Sequence, residues 1–149
     1  MDGLSIAILA FIFLESLNVI ILYKFPNTKR GNGVGVFDAY EKSKCDPEVH
    51  AFIKYLINWI AGTKLIFILL LVVVILTGSV ITKIFSLVAL IFSISTFFWK
   101  LYPVIKKIDE SGHVSPQGYS KTLGTMIAFI LGFFITALVA FLYNYFQQT

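Results

Sequence analysis

The chain has 149 residues, 58% of them hydrophobic and only 13% charged, with a mean hydropathy of +0.86. Soluble domains sit near half apolar and a quarter charged, so this balance excludes an ordinary water-soluble fold and leaves one membrane domain over 1–149. The 12 basic residues outnumber the 8 acidic ones, but eleven of the 12 are lysine and most flank apolar runs, which points to membrane orientation rather than nucleic acid.

A bilayer core of ~30 Å takes about 20 apolar helical residues. Four stretches reach that length, at about 4–23, 56–77, 80–102 and 122–146. The expected fold is an all-α integral membrane protein, with four transmembrane helices in an antiparallel bundle. The first run follows Met1-Asp2-Gly3-Leu4-Ser5, with no basic region before it and no small-residue cleavage motif after it. It therefore reads as a retained span and not a signal peptide.

That first span contains "FLESLNVIIL", with Glu15 and Asn18 one helical turn apart. Glu15 lies eight residues before Tyr23, so at a rise of 1.5 Å it sits ~12 Å inside the boundary. An unpaired ionised carboxylate there costs at least ~2.5–3.5 kcal/mol. It must be protonated, paired or hydrated. Lys64 of the second span falls at a similar depth, with Asn18 and Asn58 one turn nearer the boundary. Glu15, Asn18, Asn58 and Lys64 are therefore the candidate intramembrane polar cluster. An ion pair could join the two spans, or Lys64 could snorkel and leave Glu15 protonated. In a third reading Glu15 handles protons or cations.

A glutamate midway along the first of four helices, followed nine residues later by Lys24-Phe25, is similar in position to the small multidrug-resistance exporters. That resemblance implies a homodimer in which Glu15 exchanges protons for cationic drugs. It covers one helix of four, and the segment of about 30 residues after the first span departs from the very short loops of those exporters.

Lys24-Phe25-Pro26-Asn27 ends the first span, because proline lacks an amide proton and restricts the residue before it. The run Gly31-Asn32-Gly33-Val34-Gly35 matches neither a dinucleotide fingerprint nor a P-loop and reads as a turn. Lys29, Arg30, Gly31 and Gly33 could contact lipid headgroups there. Cys45-Asp46-Pro47-Glu48 is a helix start, with Asp46 as cap and Pro47 in the first turn. From it Val49, Phe52, Ile53, Leu56, Ile57 and Ile60 form one apolar stripe. This predicts an amphipathic cytoplasmic helix leading into the second span, either lying at the membrane surface and turning in near Gly62, the preferred reading, or running straight through, with Tyr55 and Trp59 at the interface.

Thr77-Gly78-Ser79 makes a hairpin to the third span, and Pro103 closes that span. Ser86, Ala89, Ser93, Thr96 and Lys100 form one stripe, and Thr125, Ala128, Gly132, Thr136, Ala140 and Tyr143 another. Small and hydroxyl residues mark helix contacts in lipid, so Ser93, Thr96, Gly132 and Thr136 are candidates for packing or for a polar pathway. In the 103–121 loop Asp109, Glu110 and His113 could support acid–base chemistry or be solvated charges.

Lys24, Lys29, Arg30, Lys42, Lys44 and Lys54 lie in the 24–55 loop, and Lys106, Lys107 and Lys121 in the 103–121 loop. Positive residues stay inside, so both loops are expected in the cytoplasm and both termini on the other side. Cys45 alone cannot form an intrachain disulfide or a multi-cysteine zinc site, and no spacing indicates a metal or cofactor. The functional expectation is a non-enzymatic structural or accessory protein, packed against lipid and forming a homo-oligomer or joining other membrane subunits. Its alternatives are an oligomeric proton- or cation-coupled transporter using Glu15, and a lipid-headgroup enzyme at the cytoplasmic face.

Overall fold

The computed structural model describes residues 2–29 and 32–147, and every regular element among them is helical. Four helices are long and apolar enough to cross a membrane: α1 (Gly3–Lys24), α4 (Pro47–Thr77), a helix over Val80–Glu110, and α7 (Tyr119–Gln147). The short α2 (Gly33–Val36) and α3 (Ala39–Lys42) and a 3-10 turn at Ser43–Cys45 fill the first long connection. The chain is an all-α membrane protein by the length and composition of these helices.

Local chemistry sets the ends. Asp2 caps α1 by accepting the Ser5 N–H at 2.7 Å, and α1 stops at Lys24, two residues before Pro26. Asp46 caps α4 through the Glu48 and Val49 N–H groups, with Pro47 in the first turn. Ser79 caps the helix that follows the hairpin by accepting the Thr82 N–H at 3.2 Å.

Two expected boundaries move. α4 runs through Gly62 without interruption, so the segment from Pro47 and the second span are one helix of 31 residues. At 1.5 Å per residue this is about 46 Å, longer than the hydrocarbon core. Pro103 does not end the third long helix. α5 (Val80–Thr96) passes into a π-helical turn at Phe97–Leu101 and then into α6 (Tyr102–Glu110). Pro103 lies in the first turn of α6, just after the π-turn has shifted the hydrogen-bond pattern, so its missing N–H breaks no regular ladder. Only residues 111–118 remain between α6 and α7.

The core is assembled around α1. Leu4, Ala7, Ile8 and Phe11 pack with Leu71 of α4, Leu87 and Leu90 of α5, and Phe134 of α7. Nearer the C-terminal end of α1, Val19 and Leu22 pack with Ile57, Ala61 and Ile68 of α4. A third cluster joins the two connections: Val36 of α2 packs with Ile105 of α6, Val114 and Tyr119. The Ser115 N–H donates to Val36 O at 3.1 Å, so both connections lie at the same end of the helices.

Within the glycine-rich run, Gly33–Val36 is an ordered helical turn rather than a loose one. Asn32 accepts the Val34 N–H at 3.1 Å and donates to Pro26 O at 2.7 Å. Arg30 and Gly31 lie outside the described residues. Gly35 is fixed by space, since a Cβ there meets Thr28 O at 1.9 Å. Gly35→Ala is therefore expected to push α2 off the 26–28 turn at a cost of about 1–3 kcal/mol. Faster proteolysis within residues 25–46, alongside a lower melting midpoint, checks this; an unchanged cleavage rate contradicts it.

Candidate functional site

On α1, Leu4, Ile8, Phe11, Glu15, Asn18 and Leu22 recur at spacings of 4, 3, 4, 3 and 4. On α4, Ile57, Ala61, Lys64, Ile68 and Leu71 recur at 4, 3, 4 and 3. These are the two seams along which the helices pack, and apart from Glu15, Asn18 and Lys64, which are half-buried, their members are buried. Lys64 is the one polar member of the α4 seam, and Glu15 shares the α1 seam with a single other polar residue, Asn18. There Lys64 Nζ donates to Glu15 Oε2, with the two side chains 31% and 23% exposed.

Beside the pair lies an open groove of about 500 Å³ between α1, α4 and α5. Phe11, Trp59, Phe67, Leu90 and Ile94 form its apolar walls, and Thr63 and Ser93 bring hydroxyls. The Thr63 hydroxyl is spent on Trp59 O at 2.9 Å. Phe11, one turn before Glu15, is packed edge-on against Phe67 at 5.9 Å and Phe134 at 5.7 Å. One side of the ion pair is thus fixed in aromatic packing and the other faces the groove.

Asn18 is half-buried on α1, and Asn58 is exposed on α4. Ser93 joins Glu15 and Lys64 in the groove. Thr96 is exposed one turn on, its hydroxyl donating to Ser93 O at 2.6 Å. Gly132 and Thr136 are exposed on α7, with open space around Gly132. α5 and α7 enter the core through Leu87, Leu90 and Phe134, while the small residues of both stripes face largely outward. Lys29 pairs with Asp38 at 3.4 Å and donates to Ser115 Oγ at 3.1 Å, whereas Gly33 is exposed. His50 Nδ1 meets Ser43 Oγ at 2.9 Å, and Cys45 Sγ points to Lys42 O.

An ion pair and a carboxylate cap that sequence spacing does not reveal complete the arrangement. Lys83 Nζ of α5 reaches Asp2 Oδ2 at 3.1 Å and Ser5 Oγ at 2.9 Å, tying the start of α1 to the start of α5. At the opposite end Asp109, 8% exposed, accepts the Gly118 N–H at 3.0 Å and the Ser120 N–H and hydroxyl at 2.8 and 2.7 Å. One carboxylate of α6 thereby caps the start of α7. The Ser120 hydroxyl, then the Ser120 and Gly118 N–H groups, stabilise its anion and hold the Asp109 carboxyl below the usual carboxylate range. Glu110 and His113 beside it are exposed.

No family model, curated protein or solved structure matches the chain. The positional similarity of Glu15 to the exporter glutamate therefore stands on its one helix alone.

A carboxyl whose folded pKa is depressed adds stability above its unfolded pKa and loses it as pH falls through the folded value. Asp109→Asn is expected to lower the melting midpoint by a few degrees at neutral pH. The gap to wild type should begin to narrow as pH falls below about 4, the ordinary carboxylate value, and close only below the lower folded value, where Asp109 is protonated in both folded and unfolded chains. Melting curves at several pH values check this; a gap that stays constant across the series overturns it.

Proposed function

We propose that this chain is a non-enzymatic accessory protein of the membrane. It is an antiparallel four-helix bundle, with the N-terminal part of α4 as its amphipathic lead-in and both connections in the cytoplasm. The Glu15–Lys64 pair clamps the first two spans together, and the groove beside it packs against lipid or a partner's helix in a homo-oligomer or a mixed complex. The observation that carries this reading is the pair itself. A titrating transport carboxylate must exchange its cation, whereas Glu15 is matched by a lysine tethered in the same chain and fixed on a packed seam.

A second reading, an oligomeric proton- or cation-coupled transporter, is favoured by the position of Glu15 on the wall of an aromatic-lined groove. The headgroup-enzyme reading has less support, because both oxygens of Asp109 are taken by Gly118 and Ser120.

Glu15→Gln strands Lys64 in hydrocarbon and is expected to cost about 2.5–3.5 kcal/mol, and adding Lys64→Met should restore more than half of it. Unfolding measurements on the two variants test the clamp, and proteoliposome flux assays on Glu15→Gln test the transporter. Stability lost and rescued with no flux to lose supports the accessory role. Flux abolished with stability intact selects the transporter.

Orientation has its own check, because Cys45 is the one cysteine and is exposed. An impermeant maleimide should label it only from the cytoplasmic side of sealed vesicles. Labelling from the other side reverses the proposed topology.

A further inference from the structure

A second cavity, of about 630 Å³, opens between α6 and the first turn of α7. Tyr102, Lys106, Asp109, Glu110, Gln117 and Lys121 line it. It lies where the apolar runs stop: Tyr102 closes the third, and Lys121 immediately precedes the fourth. With the apolar runs taken as the parts that cross the hydrocarbon, this end of the helices lies at headgroup depth.

The lining carries both signs of charge, and only part of it is internally satisfied. Asp109 is committed to Gly118 and Ser120. Glu110 is not: its side chain is 68% exposed, and Lys106 Nζ stands 3.9 Å away, at the loose limit of an ion pair. Lys121 makes no hydrogen bond or ion pair with another described residue. A ligand that completes this set brings an anion to two ammonium groups and a hydrogen-bonding cation to one carboxylate.

We propose that the cavity binds the headgroup of an ethanolamine phospholipid, with its phosphodiester between Lys106 and Lys121 and its primary ammonium at Glu110. A choline headgroup has the same charges, but its quaternary nitrogen has no N–H to donate and is held by cages of aromatic rings. Tyr102 is the single ring among the lining residues. A glycerol headgroup supplies the phosphate without the cation and leaves Glu110 facing an anion. The site uses none of the residues around Glu15, so it stands or falls separately from the accessory reading.

The test is native mass spectrometry of the full chain in mixed micelles. Phosphatidylethanolamine, phosphatidylcholine and phosphatidylglycerol with identical acyl chains are supplied in equal amounts. The ethanolamine lipid should be retained most. Glu110→Gln should weaken its retention about tenfold and erase its advantage over the choline lipid. Lys121→Met should weaken retention of all three. Both side chains are exposed, and unchanged circular dichroism spectra will show that the variants fold. Equal retention of ethanolamine and choline lipids, preference for the glycerol lipid, or a preference that survives Glu110→Gln each overturns the proposal.

Discussion

A charge cannot be left alone in hydrocarbon, and that constraint bears on how α1 and α4 of this protein meet. In water, apolar burial drives association with little regard to partner. In lipid the surroundings are as apolar as leucine, so the drive vanishes and specific contacts select the neighbours. Glu15 and Lys64 supply such a contact for α1 and α4. Their positions on largely apolar seams would also fix register, since sliding one helix past the other by a turn would leave two charges without partners. Ala61, fully buried one turn from Lys64, gives the seam the close backbone approach it needs at that level.

Helix length carries the constraint outward. α1 has 22 residues, about 33 Å, which just crosses a hydrocarbon core. α4 has 31 and the Val80–Glu110 helix also has 31, about 46 Å each. Because Lys83 ties the start of α5 to Asp2 at one end, the excess length emerges at the other. There it finds the two connections. Val36, Ile105, Val114 and Tyr119 bury one another in a small core, and Ser115 and Lys29 cross-link the connections by hydrogen bonds. Asn32, Gly35 and Asp109 are the residues whose geometry this cap cannot do without: two satisfy backbone groups, and one leaves room for Thr28.

What was legible in the sequence was whatever is local or follows from depth. The four apolar runs, the stop before Pro26 and the Asp46–Pro47 start depend on neighbours within a few residues, and the helices begin or end there. The common depth of Glu15 and Lys64 came from counting residues at a fixed rise, and the two side chains meet. Pro103 misled because its rule assumes regular α-helical winding, and the π-turn at Phe97–Leu101 changes that winding just before it. The Asp109–Ser120 cap was out of reach for a different reason. Eleven residues and two glycine turns separate the partners, and no periodicity links them. The 3–4 seam on α4, with Lys64 at its centre, was a usable signal that the apolar stripe of 49–60 had hidden.

The distribution of polarity over the molecule follows from its two solvents. Phe13, Leu69, Phe92, Phe129 and many other large apolar residues are exposed, which in water invites aggregation and in lipid is the solvated state. Between the helices, the interior holds the ion pair that lipid cannot solvate. At the end where the connections gather, composition reverts to soluble-protein habits: an apolar cluster inside, and Lys106, Glu110 and Lys121 outside. The two charged sites consequently obey different electrostatics. The Glu15–Lys64 pair is partly buried between α1 and α4, where screening by salt is weaker, so its worth depends more on geometry. The lysines and glutamate of the outer cavity are screened by water and ions, and their internal pairing is too loose to decide much alone. A weakly paired group at the outer end keeps its charge available to other partners. A tightly paired group between the helices is committed to its partner across the seam.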